Sequence, residues 1–187
     1  MTEREKMLSG QDYNSRDTEL LTMYSFSKKM MKAYNQLEVD DALGKGKVLE
    51  SWLGEVGEGV WIEQPFFCEF GKHIRIGSGT FINMNCVFLD NNYITIGKNG
   101  LIAPSVQIYT ANHPISSKDR IQSGRYITSS FPVKIGDDCW IGGGAIIFPG
   151  VTIGHRVTIG AGSVVTKDIP DDVLAVGNPC RVIKNIS

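Results

Sequence analysis

The sequence predicts a mainly β protein, a hexapeptide solenoid wound as a parallel β-helix, and three observations carry the prediction. Between Val133 and Lys167 an aliphatic side chain recurs at Ile135, Ile141, Ile147, Ile153, Ile159 and Val165, six residues apart each time. Four positions after each of the first five stands a small or modest residue: Cys139, Ala145, Val151, Val157 and Ser163. Glycine follows the aliphatic at Gly136, Gly142, Gly154 and Gly160. A period of six suits neither an α-helix nor the alternation of an ordinary strand; it suits short strands and tight corners that wind as a solenoid. Three hexads make one triangular coil, and coils stack at the strand spacing of about 4.8 Å. Residues eighteen apart then form columns: Ile135 with Ile153, Ile141 with Ile159, Ile147 with Val165. Cys68 and Cys86 share that separation and suggest another column.

In chain order, residues from about Thr2 to Leu53 read as helical. Leu20, Tyr24, Met31, Tyr34 and Leu37 recur at three-, four- and seven-residue steps, with Lys28, Lys29 and Lys32 between them. Ser15 or Asp17 can cap this helix. The GKGK at 44–47 predicts a break or a weak helix, followed by a short apolar face in VLESWL at 48–53. So small a helical region needs something to pack on. It either caps the open first coil or also adds substrate contacts. From Gly54 the chain turns β-like, with Pro65 and the aromatics making the first coils irregular. The hexad is visible at Ile76, Ile82 and Phe88 and again at Ile96, Ile102 and Ile108, so a two-residue insertion falls near Asp90 to Asn92. The next anchor is Ile135. The polar stretch between predicts one long ejected loop at about 109–132, and long loops on a regular scaffold commonly carry function. After Val165, Pro170, Asp171 and Asp172 turn the chain, and AVGNPCRVIK reads as a closing strand. The expected division is an N-terminal helical segment at 1–53 and a β-helix domain at 54–187.

The chain has 187 residues, 42% hydrophobic and 21% charged, which suits one soluble domain with a sizeable core. A net charge of -1 offers no electrostatic case for nucleic acid or a membrane surface. The charged start MTEREKMLSG lacks an apolar signal core, and the absence of a long apolar run argues against a membrane span. Cys68, Cys86, Cys139 and Cys180 form no CxxC pair. Cys86 and Cys139 occupy the small-residue slot, so buried reduced thiols in a cytoplasmic protein are expected. No P-loop and no GxGxxG before a helix is present, which disfavours nucleotide hydrolysis and hydride transfer.

The hexapeptide run, the YTANHPI segment and the closing VGNPCRVIK, together with the N-terminal MTEREKMLSG and its helices, resemble the galactoside/maltose O-acetyltransferase family. The resemblance spans nearly the whole chain. It implies a left-handed β-helix, a homotrimer with sites between subunits, and acetyl transfer from acetyl-CoA, as co-substrate and without a metal, to a sugar hydroxyl, with the 6-hydroxyl of a hexose favoured.

That chemistry needs a base, donors for an oxyanion, and two substrates held at attack distance. Of the three histidines, His155 sits in a turn of the repeat and His73 in the irregular early coils. His113 lies where the repeat breaks, and its match to TANHP implies the general base. By similarity Asn83, which replaces the usual small residue after Ile82, binds and orients the acceptor; a corner-stabilising asparagine ladder is the other reading. The Gly143 amide is the implied oxyanion donor, although glycines 142–144 could equally serve a tight corner. Asp90 and Asn91 fall where the family tends to place an acidic sugar ligand, and Glu69 matches another sugar position. Tyr13, Ser15 and Asp17 lie near a further acidic sugar ligand, with Asp17 the candidate of matching type. Gly143, Ala161, Thr166 and Lys167 would line the pantetheine track of acetyl-CoA. Arg181 and Lys184 would meet its phosphates, unless they form a solvated basic tail. Trp140 could wall the pocket or pack between subunits. A zinc enzyme of the same fold would need all three histidines to converge. Antibiotic O-acetyltransferases share the fold and the loop histidine but differ in their N-terminal regions. A non-catalytic β-helix scaffold leaves the histidine loop without a purpose.

Overall fold

The computed structural model describes residues 1–122 and 125–187. Three helices precede the β-structure. Helix α1 (Glu3–Leu8) opens with a capping box, in which the Thr2 side chain accepts from Glu5 N–H and the Glu5 carboxylate accepts from Thr2 N–H. Helix α2 (Thr18–Asn35) is capped by Asp17, whose carboxylate accepts from Glu19 N–H. Helix α3 (Ala42–Trp52) runs through the GKGK segment without a break, because Asp41 caps it and Leu49 and Trp52 anchor its buried side. The buried stripe of α2 is Leu20, Ser27 and Tyr34, whereas Tyr24 is 40% exposed. The heptad places Ser27 inward between two apolar residues. It is satisfied there as acceptor from Trp52 Nε1 at 2.9 Å.

From Glu55 the chain winds through three flat faces. The first face stacks Glu55–Val56, Ile74–Ile76, Ile94–Ile96, Val133–Ile135 and Thr152–Ile153, all parallel. The second stacks Trp61–Ile62, Phe81–Ile82, Leu101–Ile102, Trp140–Ile141, Thr158–Ile159 and Val173–Val176, and closes with the antiparallel Arg181–Asn185. The third stacks Phe66–Cys68, Cys86–Leu89, Gln107–Tyr109, Ile146–Ile147 and Val164–Val165. The three aliphatic columns of the hexad run pair as their spacing predicts: Ile135 with Ile153, Ile141 with Ile159, Ile147 with Val165.

The cysteine column does not form. Cys86 pairs with Phe66, and Cys68 pairs with Phe88. The early coils advance by twenty residues, as Ile62, Ile82 and Ile102 show, because two residues are inserted at the corner after each early third-face strand. All four cysteines are buried and unpaired.

Tyr34, Leu49 and Trp52 share one core with Phe66, Phe88 and the aliphatic columns. Trp52 meets Phe66 edge-on with ring centroids 5.9 Å apart. Burying one such ring contributes about 2–3 kcal/mol from area alone. Helices α2 and α3 therefore plug the open end of the first coil. Met7, Tyr13, Leu20 and Phe70 form a second cluster on the side of the solenoid. No helix among the described residues is long and apolar enough to cross a membrane.

Candidate active site

Each coil has three corners, and the third, between the third and first faces, carries the insertions. His113 lies there, just after the chain leaves Gln107–Tyr109. The long excursion is cinched at its base, where Ala111–Asn112 pairs antiparallel with Ser129–Ser130. It holds structure of its own: a one-turn helix α4 (Ser117–Arg120) and an antiparallel pair, Ile121–Gln122 with Arg125–Tyr126. His113 Nδ1 lies 2.7 Å from the Ile127 carbonyl oxygen. A carbonyl only accepts, so Nδ1 carries a proton, and the neutral form of the ring is the tautomer with its lone pair on Nε2. The ring is exposed. This tautomer is the one a general base at Nε2 requires.

The N-terminal segment is tied to the same base. Tyr13 N–H donates to Thr128 O at 3.1 Å, next to the carbonyl that orients His113. Asn92 is buried and its Nδ2 donates to Met7 O, Leu8 O and Ser130 O at 3.1 to 3.2 Å. Ser130 Oγ donates to Met7 O at 2.6 Å. Between this segment, α2 and the third corner opens a cleft of about 310 Å³, lined by Tyr13, Arg16, Leu21, Tyr24, Glu69 and Asn91 among others. Asn91 Nδ2 donates to Tyr13 Oη at 3.1 Å. Burial raises the Tyr13 phenol to about 12, so it stays a neutral hydroxyl.

Asn83, Gly143 and Ala161 stand at the second corner, between the second and third faces. Asn83 is half-buried and its Oδ1 accepts from Met84 N–H at 2.8 Å. Gly143 lies two coils further along the same corner, roughly 10 Å away by strand spacing. Among the described residues the Gly143 N–H has no backbone acceptor. A Cβ at Gly143 would come no closer than 3.3 Å to Pro104 O, whereas one at Gly142 would meet Ala161 N at 2.5 Å. Stacking therefore demands glycine at 142 far more than at 143. Thr166 and Lys167 are exposed at the third corner. Arg181 and Lys184 are exposed on the final strand beside the second face. Apart from Asp17, Arg181 and Lys184, the candidates from the sequence divide between two corners of one prism, and His113 and Asn83 of a single copy do not meet.

Two segments match family models: residues 6–57 the maltose acetyltransferase hexapeptide capping motif, and residues 132–167 the hexapeptide repeat of succinyl-transferase. The chain is 50% identical to a maltose O-acetyltransferase of Clostridium difficile 630, whose structure superposes with a TM-score of 0.96, covering 100% of this chain and 98% of that one. A hexapeptide-repeat acetyltransferase of Vibrio cholerae O1 biovar eltor, solved with acetyl coenzyme A, is 41% identical with a TM-score of 0.91 and full coverage of both chains. The galactoside O-acetyltransferase of Escherichia coli is 40% identical, covering 86% of this chain and 77% of its own length. The chain belongs to the galactoside/maltose O-acetyltransferase family.

The parallel β-solenoid that the hexad predicts is the fold of this acetyltransferase. The structure corrects two of the acceptor candidates. Asp90 is fully buried, its Oδ1 accepting from Glu69 N–H at 3.0 Å and Phe70 N–H at 2.8 Å and its Oδ2 from His73 N–H at 3.3 Å. An acidic residue in a two-residue insertion is claimed by the amides that the insertion leaves unpaired. It shapes the corner that presents Glu69 and Asn91 and cannot itself reach an acceptor. Asp17 turns its carboxylate back onto the first turn of α2 and does not line the cleft; Ser15 and Arg16 do. The other histidines stay apart from His113. His73 is buried with Nδ1 at 2.7 Å from Asp90 O, and His155 sits at the first corner, 3.6 Å from Asp137. Sequence reasoning misses Asn92, Arg16, Tyr24 and the Ile127 carbonyl. Asn92 lies inside the recognised insertion, but the carbonyls it holds come from Met7 and Ser130, far away in sequence.

Proposed function

We propose that this acetyltransferase moves the acetyl group of acetyl-CoA to a sugar hydroxyl, favouring the primary 6-hydroxyl of a hexose. One observation carries the reading: the Ile127 carbonyl accepts from His113 Nδ1–H on an exposed loop root, which selects the neutral tautomer whose lone pair is on Nε2. In this scheme Nε2 takes the acceptor hydroxyl's proton as its oxygen attacks the thioester carbonyl. The oxyanion that forms accepts from the Gly143 amide. The tetrahedral intermediate collapses, the carbon–sulfur bond breaks, and the imidazolium returns its proton to the coenzyme A thiolate. Glu69 and Asn91 in the cleft receive acceptor hydroxyls, with Asn83 orienting the reacting group. Ala161, Thr166 and Lys167 flank the pantetheine arm, and Arg181 and Lys184 meet phosphates. The acetyl coenzyme A complex of the Vibrio relative and the galactoside and maltose enzymes among the relatives support donor and acceptor classes.

The split of these residues between corners supports sites shared by neighbouring copies of a homotrimer. The second face is apolar and open: Trp61 is 43%, Leu101 53% and Trp140 54% exposed. Docking that face on a neighbour carries Asn83 and Gly143 toward the neighbour's third corner. Four buried free cysteines agree with a cytoplasmic enzyme.

Acetyl-CoA-dependent thiol release over glucose, maltose, galactosides and antibiotics tests the reading. Sugar acetylation is expected, and His113→Ala should lower turnover at least about a hundredfold with acetyl-CoA affinity unchanged. Turnover by that variant at the wild-type level, or activity on antibiotics alone, overturns the proposal. Sedimentation as a monomer overturns the shared sites.

A further inference from the structure

One wall of the cleft is held in shape by a residue that does not line it. Lys28 projects from α2 toward the third corner. Its Nζ lies 2.8 Å from Cys68 O, 3.3 Å from Glu69 Oε2 and 4.6 Å from the centroid of the Tyr24 ring. Tyr24 is one helical turn earlier on α2, so ring and ammonium share a helix face. The three donors of the ammonium thus confront a carbonyl, a carboxylate and a π face. Both charged side chains are partly withdrawn from water, Lys28 at 30% and Glu69 at 29% exposure. The Glu69 backbone is pinned from below, its N–H within 3.0 Å of Asp90 Oδ1 and 3.2 Å of Phe88 O. Above it, Lys28 holds the side chain. Glu69 and Tyr24 both line the cleft.

We propose that Lys28 is a positioning residue for the acceptor. It commits Oε2 of Glu69 to the ammonium and leaves Oε1 as an acceptor facing the cleft, and it holds the Tyr24 ring as an adjoining flat wall. A fixed carboxylate oxygen receives hydroxyl protons, and an aromatic face receives the C–H side of a ring. The pair therefore selects a ring-shaped acceptor bearing a hydroxyl on the edge that meets Glu69. This rests on reading the cleft as the acceptor site.

The test compares K28M, K28R and E69Q with the wild type, using whichever acceptor gives the highest rate in a panel of sugars, other alcohols and amines. For K28M the acceptor KM is expected to rise about tenfold, the loss of one charge-assisted contact, with kcat and the KM for acetyl-CoA within about twofold. K28R should stay near the wild type, and K28M/E69Q should be no worse than E69Q alone, since both act through one carboxylate. An unchanged acceptor KM with a lowered melting temperature identifies a mere strut between α2 and the solenoid and overturns the proposal. So does a crystal structure of K28M in which Glu69 and Tyr24 keep their places, whatever the acceptor. If the panel's best acceptor is not a sugar, the sugar reading fails while the KM comparison still decides the role of Lys28.

Discussion

Gly142 and Gly143 are neighbours at one corner, yet alanine substitutions there should part sharply. A Cβ at Gly142 would lie 2.5 Å from Ala161 N, 2.7 Å from Ile159 O and 2.8 Å from Gly160 C, all backbone of the next coil. That coil is bound to Gly142 by its N–H donating to Ile159 O at 2.8 Å. Relief to an ordinary contact requires the two coils to part by about 1 Å. Overpacking of this kind costs about 1–3 kcal/mol, and the stretched hydrogen bond adds up to about 1 kcal/mol. We expect G142A to be less stable by about 3 kcal/mol, or about 6–12 °C in melting temperature for a chain of this size. At Gly143 the nearest atoms are Pro104 O at 3.3 Å and Ala103 Cβ at 3.9 Å. The small crowding there is offset by about 0.4–1 kcal/mol from a less flexible unfolded chain, so G143A should melt within about 2 °C of the wild type. Circular dichroism melts at one fixed protein concentration make the comparison. Equal melting of the two variants would refute the argument that coil stacking selects glycine at 142.

Trp52→Ala should cost about 3–5 kcal/mol in denaturant unfolding, because the ring fills the junction of α2, α3 and the first coil and its Nε1 satisfies Ser27. Asn92→Leu strips the donor from carbonyls of Met7, Leu8 and Ser130 and should cost about 3 kcal/mol, with amide exchange rising in α1 and at Ser129–Ser130 if the clamp works as drawn. His73 supplies a pH test. Burial, reinforced by Arg4 and Arg75, lowers its pKa to about 4, so the folded chain resists a proton that the unfolded chain accepts near pH 6.5. Its contribution is present above pH 6.5 and is lost as pH falls to 4, by about 3 kcal/mol. Burial raises the Asp90 pKa to about 7, and its contribution runs the opposite way over that range. The stability difference between wild type and His73→Asn across pH 4–7 isolates the histidine; a difference independent of pH would refute its burial as a neutral ring.

Much of the fold is legible because a solenoid contacts itself at a constant offset. Ile135, Ile141 and Ile147 each meet the residue eighteen positions on, so periodicity alone gives the pairing. Where the offset changes, the reading slips. The insertions shift Cys68 onto Phe88, and a pattern that counts by eighteen cannot see a coil of twenty. The helical stripe misses Ser27 because a serine carries no apolar signal, although the Trp52 indole makes its burial tolerable.

The candidate site follows the same division. Sequence by itself determined the repeat and the places where it breaks, with His113 at the long loop and Asn91 in the two-residue insertion. These are local properties of the chain; Glu69 enters only through the family resemblance. Tertiary structure alone decided that Asp90 is consumed by backbone amides, that Asp17 serves α2, and that Ile127 sets the tautomer of His113. It also decided that Asn83 and Gly143 face a different corner from His113, and that Lys28 holds Glu69 against Tyr24. The reason is physical: a hydrogen bond or a desolvated ion pair depends on positions to within about half an ångström, and such positions arise only when segments distant along the chain are packed together.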